Sequence, residues 1–295
     1  MLVNEAISSS GEIQTLRERE LDNAPIYLTD GANRRLDGTS LFSMNGTATF
    51  NNDAVKHFSI RLWTEFLTLG LGLPAAIWVT SKLIKLSIPA ATHGSPGERF
   101  LWWIIGPAIA EWLFVLGIVL ILRGRQLSIR DLGVWRVGNW KAWLLALGFA
   151  ALGIAGNLRF LPRMGVPISA AFFPQGFHLA AALMMGITAG FCEEVLFRAF
   201  LMTEFANAGY GKVAQILIPG IAFGLSHAGY LNQGFLPWLG IAVPTAFGGM
   251  LWGVSYLLGR RSLIPAIVAH FLNDATALPW ISFFMVTGAL GRGPT

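Results

Sequence analysis

Long apolar runs alternate with short polar joints along this chain, and the length of the runs decides the fold class. A helix needs about 20 apolar residues to cross the hydrocarbon core of a bilayer. Runs approaching that length lie at 64–86, 100–122, 140–157, 178–202, 213–230, 237–258 and 262–288. The pattern predicts an all-α fold, a polytopic transmembrane helical bundle of about seven spans, within a range of roughly six to eight. The stretch 160–177 is apolar but broken by Pro162, Pro167 and Pro174, so it reads as interfacial or as a short extra helix. Small residues inside the runs, as in IPGIAFG and IAVPTAFGG, suit close helix packing, and Gly248 and Gly249 receive no functional role.

Residues 1–60 break this pattern. They are polar and rich in Ser, Asn, Gly and Thr, and they read as an extramembrane extension ahead of a transmembrane domain at 61–295. Their start is too short in apolar residues and too acidic for a secretory signal. The extension is available to dock a protein partner.

Composition strengthens the membrane reading. The chain is 54% hydrophobic and 13% charged, against about 25% charged in water-soluble domains. Its mean hydropathy is +0.57. Many of the 11 tryptophans lie near the ends of apolar runs, as in the aromatic belts of membrane proteins. The net charge of +5 is uneven: residues 1–60 hold five Lys/Arg and eight Asp/Glu, a net −3, which leaves +8 for the rest. That excess sits in short loops and reads as topology rather than nucleic-acid binding. Arg123, Arg125, Arg130, Arg136 and Lys141 crowd one joint, Arg260 and Arg261 another, and Lys56 and Arg61 precede the first span. The N-terminus is thereby expected in the cytoplasm, with Lys82, Lys85, Arg159 and Arg163 opposing. The single cysteine, Cys192, excludes an internal disulfide and a cysteine metal cage, and reads as a packing residue.

Ionisable residues inside apolar spans are costly and mark function. Glu193 and Glu194 stand side by side in the fourth run with Arg198 beyond them; His227 lies in the fifth, and His270 and Asp274 in the seventh. Glu194 and Arg198 are four residues apart and share a helix face, as do His270 and Asp274. Glu193 lies about 100° around the helix from Glu194, so one wall offers two carboxylates to different partners. Taken singly, these groups have plain structural readings: Glu194–Arg198 as an ion pair, Asn273 as a cap or packing residue. Glu111 falls within the second run, where it either bonds within the bundle or lines a cavity. His178 reads as interfacial.

Together the motifs resemble those of the CPBP family, the CAAX-protease and bacteriocin-processing (Abi-type) intramembrane proteins related to CAAX prenyl endopeptidases. The EExxxR motif is matched by Glu193 to Arg198, FxxxH by Phe223 to His227, and HxxxN/D by His270 to Asp274. The resemblance covers about 175–275 and implies an intramembrane endopeptidase acting on a membrane-associated or lipidated peptide. It implies that Glu193 activates the hydrolytic water and that His227 holds it and shares the proton transfer. His270 and Asp274 would line the oxyanion side, with Glu194 and Arg198 in support. The prenyl-protease pattern has Asn where this chain has Asp274, and Asn donates a hydrogen bond that ionised Asp cannot.

The chemistry is coherent without the name. Peptide hydrolysis needs an activated water, a proton for the leaving amine and help for the oxyanion. One glutamate and two histidines match a common zinc ligand set. HExxH is absent, however, and the resemblance to prenyl proteases implies no required metal. No cofactor is therefore expected, with zinc the less favoured alternative. The expected partners are a membrane-tethered peptide or membrane protein and the bilayer itself, with no nucleic acid. The expected location is a prokaryotic cytoplasmic membrane. The competing reading is a non-proteolytic membrane scaffold or bacteriocin-immunity-type interaction protein; a transporter is third, since no internal repeat is visible.

Overall fold

The computed structural model describes residues 60–287 and two short strands, β1 (Leu28–Thr29) and β2 (Arg35–Leu36). The strands pair antiparallel, with Leu28 opposite Leu36. The rest of the expected extension at 1–60 lies, save for Ile60, outside the described residues.

Everything else described is helix or connecting turn. Six helices are long and apolar enough to cross a membrane: α1 (Ile60–Ser87), α2 (Pro96–Gly124), α3 (Trp140–Met164), α4 (Phe177–Asn207), α5 (Lys212–Leu231) and α6 (Phe235–Leu258). The expected seventh span divides into two helices, α7 (Ile264–Ala275) and α8 (Leu278–Thr287). The break falls at Thr276, whose φ of −84° and ψ of −95° are non-helical. Pro279 lies just beyond it and supplies no N–H to a continuous ladder. The proline-rich stretch after α3 forms short helical turns at Pro162–Met164 and Ser169–Phe172.

Local chemistry sets several boundaries. Ser95 opens α2 through a reciprocal capping box with Glu98, and Pro96 occupies the first turn. Asn139 caps α3, its side-chain oxygen accepting the Ala142 N–H at 3.0 Å. Prolines inside α2, α5 and α6 (Pro107, Pro219, Pro244) are tolerated, as membrane helices commonly allow.

α4 is the hub. In its apolar window 56% is buried, against 11% for α1, so α1 faces mostly lipid while α4 is enclosed by its neighbours. The hairpins α1–α2 and α5–α6 and the helix α7 pack around it. Glycines bring α4 and α7 together: a Cβ at Gly190 would stand 3.0 Å from the Phe271 amide nitrogen and 3.2 Å from the Ile267 carbonyl oxygen. Gly186, one turn earlier, accommodates the Phe271 ring. This is the small-residue contact through which membrane helices pack most closely.

A second constraint sits at one end of the bundle. Arg125 Nη1 donates to Glu204 Oε1 at 2.8 Å and Arg125 Nη2 donates to Glu65 Oε1, tying the end of α2 to α4 and α1. Arg61 adds a longer contact to Glu204 at 3.4 Å. Burial disfavours the Arg125 charge, but Glu204 and Glu65 outweigh it and raise its pKa above the ordinary value.

Two outcomes follow from this packing. Arg125→Leu leaves buried Glu204 and half-buried Glu65 with only the longer Arg61 contacts, so it should cost about 1–3 kcal/mol, read as a lower thermal midpoint in detergent; adding Glu204→Leu should recover part of the loss. Gly190→Val forces α7 away from α4 and should cost roughly 1–3 kcal/mol, whereas Gly117→Ala, where nothing approaches the position, should leave the midpoint unchanged.

Candidate active site

The segment of α4 that carries the paired glutamates is not an ordinary α-helix. Ala189–Glu193 and Val195–Leu201 are wound as π-helix, a wider i→i+5 turn that recurs at functional sites. The two carboxylates share one partner, His270, while Glu194 also pairs with Arg198. Glu194 Oε1 lies 2.9 Å from Nδ1 of His270, while Glu193 Oε2 lies 3.6 Å from Nε2 of the same ring. Adjacent carboxyl groups thus approach opposite nitrogens of one imidazole.

α7 supplies the other side. Asp274, one turn after His270, places Oδ2 3.5 Å from Nε2. Its second oxygen accepts from Asn273 Nδ2 at 3.0 Å, which gives Asn273 a holding role beyond packing. Trp252 of α6 stacks on His270 at 4.3 Å between ring centroids and 27° between planes, fixing the imidazole. Glu193, Glu194, His270 and Asp274 are all buried.

Arg198 is compensated in two ways. Its Nη1 is 3.0 Å from Glu194 Oε1, the expected i, i+4 pair, though the angle falls short of a hydrogen bond. Its guanidinium also lies 4.3 Å from the Phe223 ring centroid and 5.5 Å from that of Trp252. Such aromatic faces attract a cation, more strongly when water is excluded. The space exists because position 249 is glycine: a Cβ there would stand 2.8 Å from Phe223 and 3.1 Å from Arg198 Nη2. Gly249, which received no functional role from the sequence, thus shapes the site, as does Trp252, which the sequence did not single out. The available signal was a tryptophan in the interior of an apolar run, away from the interface.

His227 is set apart from this cluster. It falls where α5 gives way to a 3₁₀ turn, with φ −80° and ψ 20°, the sparsely allowed region where many active-site residues sit. Its Nδ1 is 3.1 Å from the Phe223 carbonyl oxygen, which leaves Nε2 as the ring atom free of that contact. Phe223 packs edge-on against both histidines, at 5.5 Å from His227 and 5.8 Å from His270. His227 is within electrostatic reach of Asp274 and His270, but Glu193's nearest imidazole is His270. Ser226 donates to Phe223 O at 2.7 Å and lies 3.4 Å from His227 Nδ1.

Three other residues complete the account. Cys192 is a buried packing residue of the main core. His178, in the first turn of α4, is buried and stacks on Trp280 at 3.4 Å between centroids. Glu111 of α2 is buried and lies within electrostatic reach of Glu193, His270 and Asp274.

Among the described residues no group of three or more His, Cys, Asp or Glu is disposed to hold an ion. His270 Nδ1 is engaged by Glu194 and His227 Nδ1 by a backbone carbonyl, which leaves Nε2 of each ring as the nitrogen for any further contact.

With the geometry established, comparison with known proteins becomes informative. No curated protein and no solved structure matches the chain. Residues 174–276, which span every motif above, match the family model "Type II CAAX prenyl endopeptidase Rce1-like". From the start of α4 through α7, about a third of its length, this integral membrane protein is therefore similar to the Rce1-like type II CAAX prenyl endopeptidases, a match consistent with the CPBP/CAAX-protease family.

Proposed function

We propose that this protein is an intramembrane endopeptidase that hydrolyses a membrane-tethered or lipidated peptide with a water activated by Glu193, without a metal. The observation that carries the reading is Glu193 and His270 in contact inside the bilayer-spanning core, on the segment that matches an endopeptidase family. A stability role alone does not require carboxylates on both sides of one imidazole.

In the proposed reaction Glu193 takes a proton from water as its oxygen bonds to the scissile carbonyl carbon. His227 holds that water through Nε2. The negative charge on the carbonyl oxygen is met by a donor on the His270–Asp274 side. The C–N bond then breaks as Glu193 returns its proton to the leaving amine, giving a new carboxyl and a new amine. Glu194 fixes the His270 ring by accepting at Nδ1, and Arg198 holds Glu194. The basic joints support a cytoplasmic N-terminus, and the bilayer presents the peptide. Residues 1–60 remain the proposed docking extension for a protein partner.

The first test is cleavage of a membrane-tethered peptide library by purified protein in nanodiscs. Glu193→Gln should lose at least about 100-fold in rate with an unchanged thermal midpoint; equal cutting by both forms would refute the role of Glu193. A chelator should leave wild-type cutting intact, and loss restored by added zinc would replace this mechanism with a metal-dependent one. Asp274→Asn, which preserves the shape and gains a donor, should keep activity within about tenfold, whereas Asp274→Ala should lose roughly 100-fold or more. If correctly folded wild type cuts nothing across broad library coverage, the protein is a scaffold or immunity-type interaction protein.

A further inference from the structure

Glu111 is a buried acidic group near the middle of α2 that the reaction above does not use. Only 7% of it is exposed, and its Oε2 has no hydrogen-bond partner. A carboxyl oxygen desolvated without compensation is costly. Inside a bilayer such groups usually face a cavity or pathway. Glu204 provides the contrast within the same bundle: it is equally buried, but each of its oxygens meets a guanidinium, so a structural explanation suffices. Glu111 has no such cation.

Its surroundings point toward the site. Glu111 is within electrostatic reach of Glu193, His270 and Asp274, and of Cys192. α2 packs directly on the π-helical turn that bears Glu193. The stack of Trp112 on Phe191, at 5.6 Å between centroids and 24° between planes, fixes that register from residues beside both glutamates. Glu111 also lies outside the matched segment 174–276, so this wall is supplied by a part of the chain that the family match does not describe.

A peptide entering a water-poor cavity brings backbone N–H groups that each need an acceptor. The wall beside Glu193 holds an acceptor without a donor. We propose that Glu111 is a substrate-binding residue, whose free carboxyl oxygen accepts a hydrogen bond from a backbone N–H of the peptide held beside Glu193. The nature of the ligand rests on the endopeptidase reading; the buried, unpartnered oxygen of Glu111 does not. Its function is to fix the register of the peptide, so that one bond meets the activated water.

The experiment compares wild type, Glu111→Ala and Glu111→Gln in nanodiscs, on tethered peptides that wild type cuts. Glu111→Ala should raise KM about tenfold, one decade per 1.4 kcal/mol, with kcat within about threefold and no fall in thermal midpoint. Glu111→Gln retains an acceptor oxygen and should stay within about threefold of wild type. A wild-type KM in Glu111→Ala overturns the proposal, as does an equal loss in both variants accompanied by a lowered midpoint, which marks a packing role. A second arm needs no activity: dicyclohexylcarbodiimide, an apolar carboxyl reagent, is applied to the full chain and the modified residues are mapped by mass spectrometry. Modification of Glu111 supports a cavity-facing carboxyl even if wild type cuts nothing and the endopeptidase reading falls. An unmodified Glu111 beside a modified Glu193 overturns the inference even if cleavage is robust.

Discussion

The arrangement of the site depends on one buried charge cluster, Arg198 with Glu194 and His270. Arg198 and Glu194 have essentially no exposure. Taking such a pair from water into hydrocarbon costs several kcal/mol per ion, and the cost is recovered only with good geometry and further partners. The further partners are a histidine on α7 and the faces of Phe223 on α5 and Trp252 on α6. One ion pair of α4 therefore requires three other helices to be in register, Glu194 meeting α7 and Arg198 meeting α5 and α6. A helix displaced by a turn would leave a bare guanidinium in apolar surroundings.

Two features of the backbone make that register attainable. Glycines at 186 and 190 let α7 approach α4, and Gly249 leaves room for the guanidinium. The π-winding of α4 from Ala189 through Glu193 turns both glutamates toward the same imidazole. Energetically, the cluster is better regarded as an organiser than as a source of stability, since a well-packed apolar replacement would commonly be no less stable. What it provides is orientation: Glu194 occupies one nitrogen of His270 and leaves the other facing Glu193 and Asp274.

The sequence revealed the class and much of the site for physical reasons. Spans are legible because a bilayer imposes a minimum apolar length, and the paired glutamates stand out because charge is rare in such runs. The Glu194–Arg198 and His270–Asp274 pairings follow from helical spacing and recur in the structure. Three things were not legible. The π-turn has no simple composition signal, so Glu193 and Glu194 were expected to part. The seventh run was read as continuous through Thr276, although Pro279 lay within it. The contributions of Gly249, Trp252 and Glu111 are tertiary: each depends on which neighbouring helix it faces, and spacing within its own helix does not reveal that.

On the proposed mechanism, Arg198 orients the side chains of the candidate site through Glu194 rather than merely filling the core. The most direct measurement is the thermal midpoint and peptide-cleavage rate of Arg198→Met, which keeps the length and apolar contacts of the side chain but removes its charge. The account predicts a folded, inserted protein whose cleavage falls by at least about 100-fold, because Glu194 no longer holds His270 in place. Cleavage close to wild type in a folded Arg198→Met protein would contradict it, and would show that the Glu193–His270 geometry is maintained by packing alone.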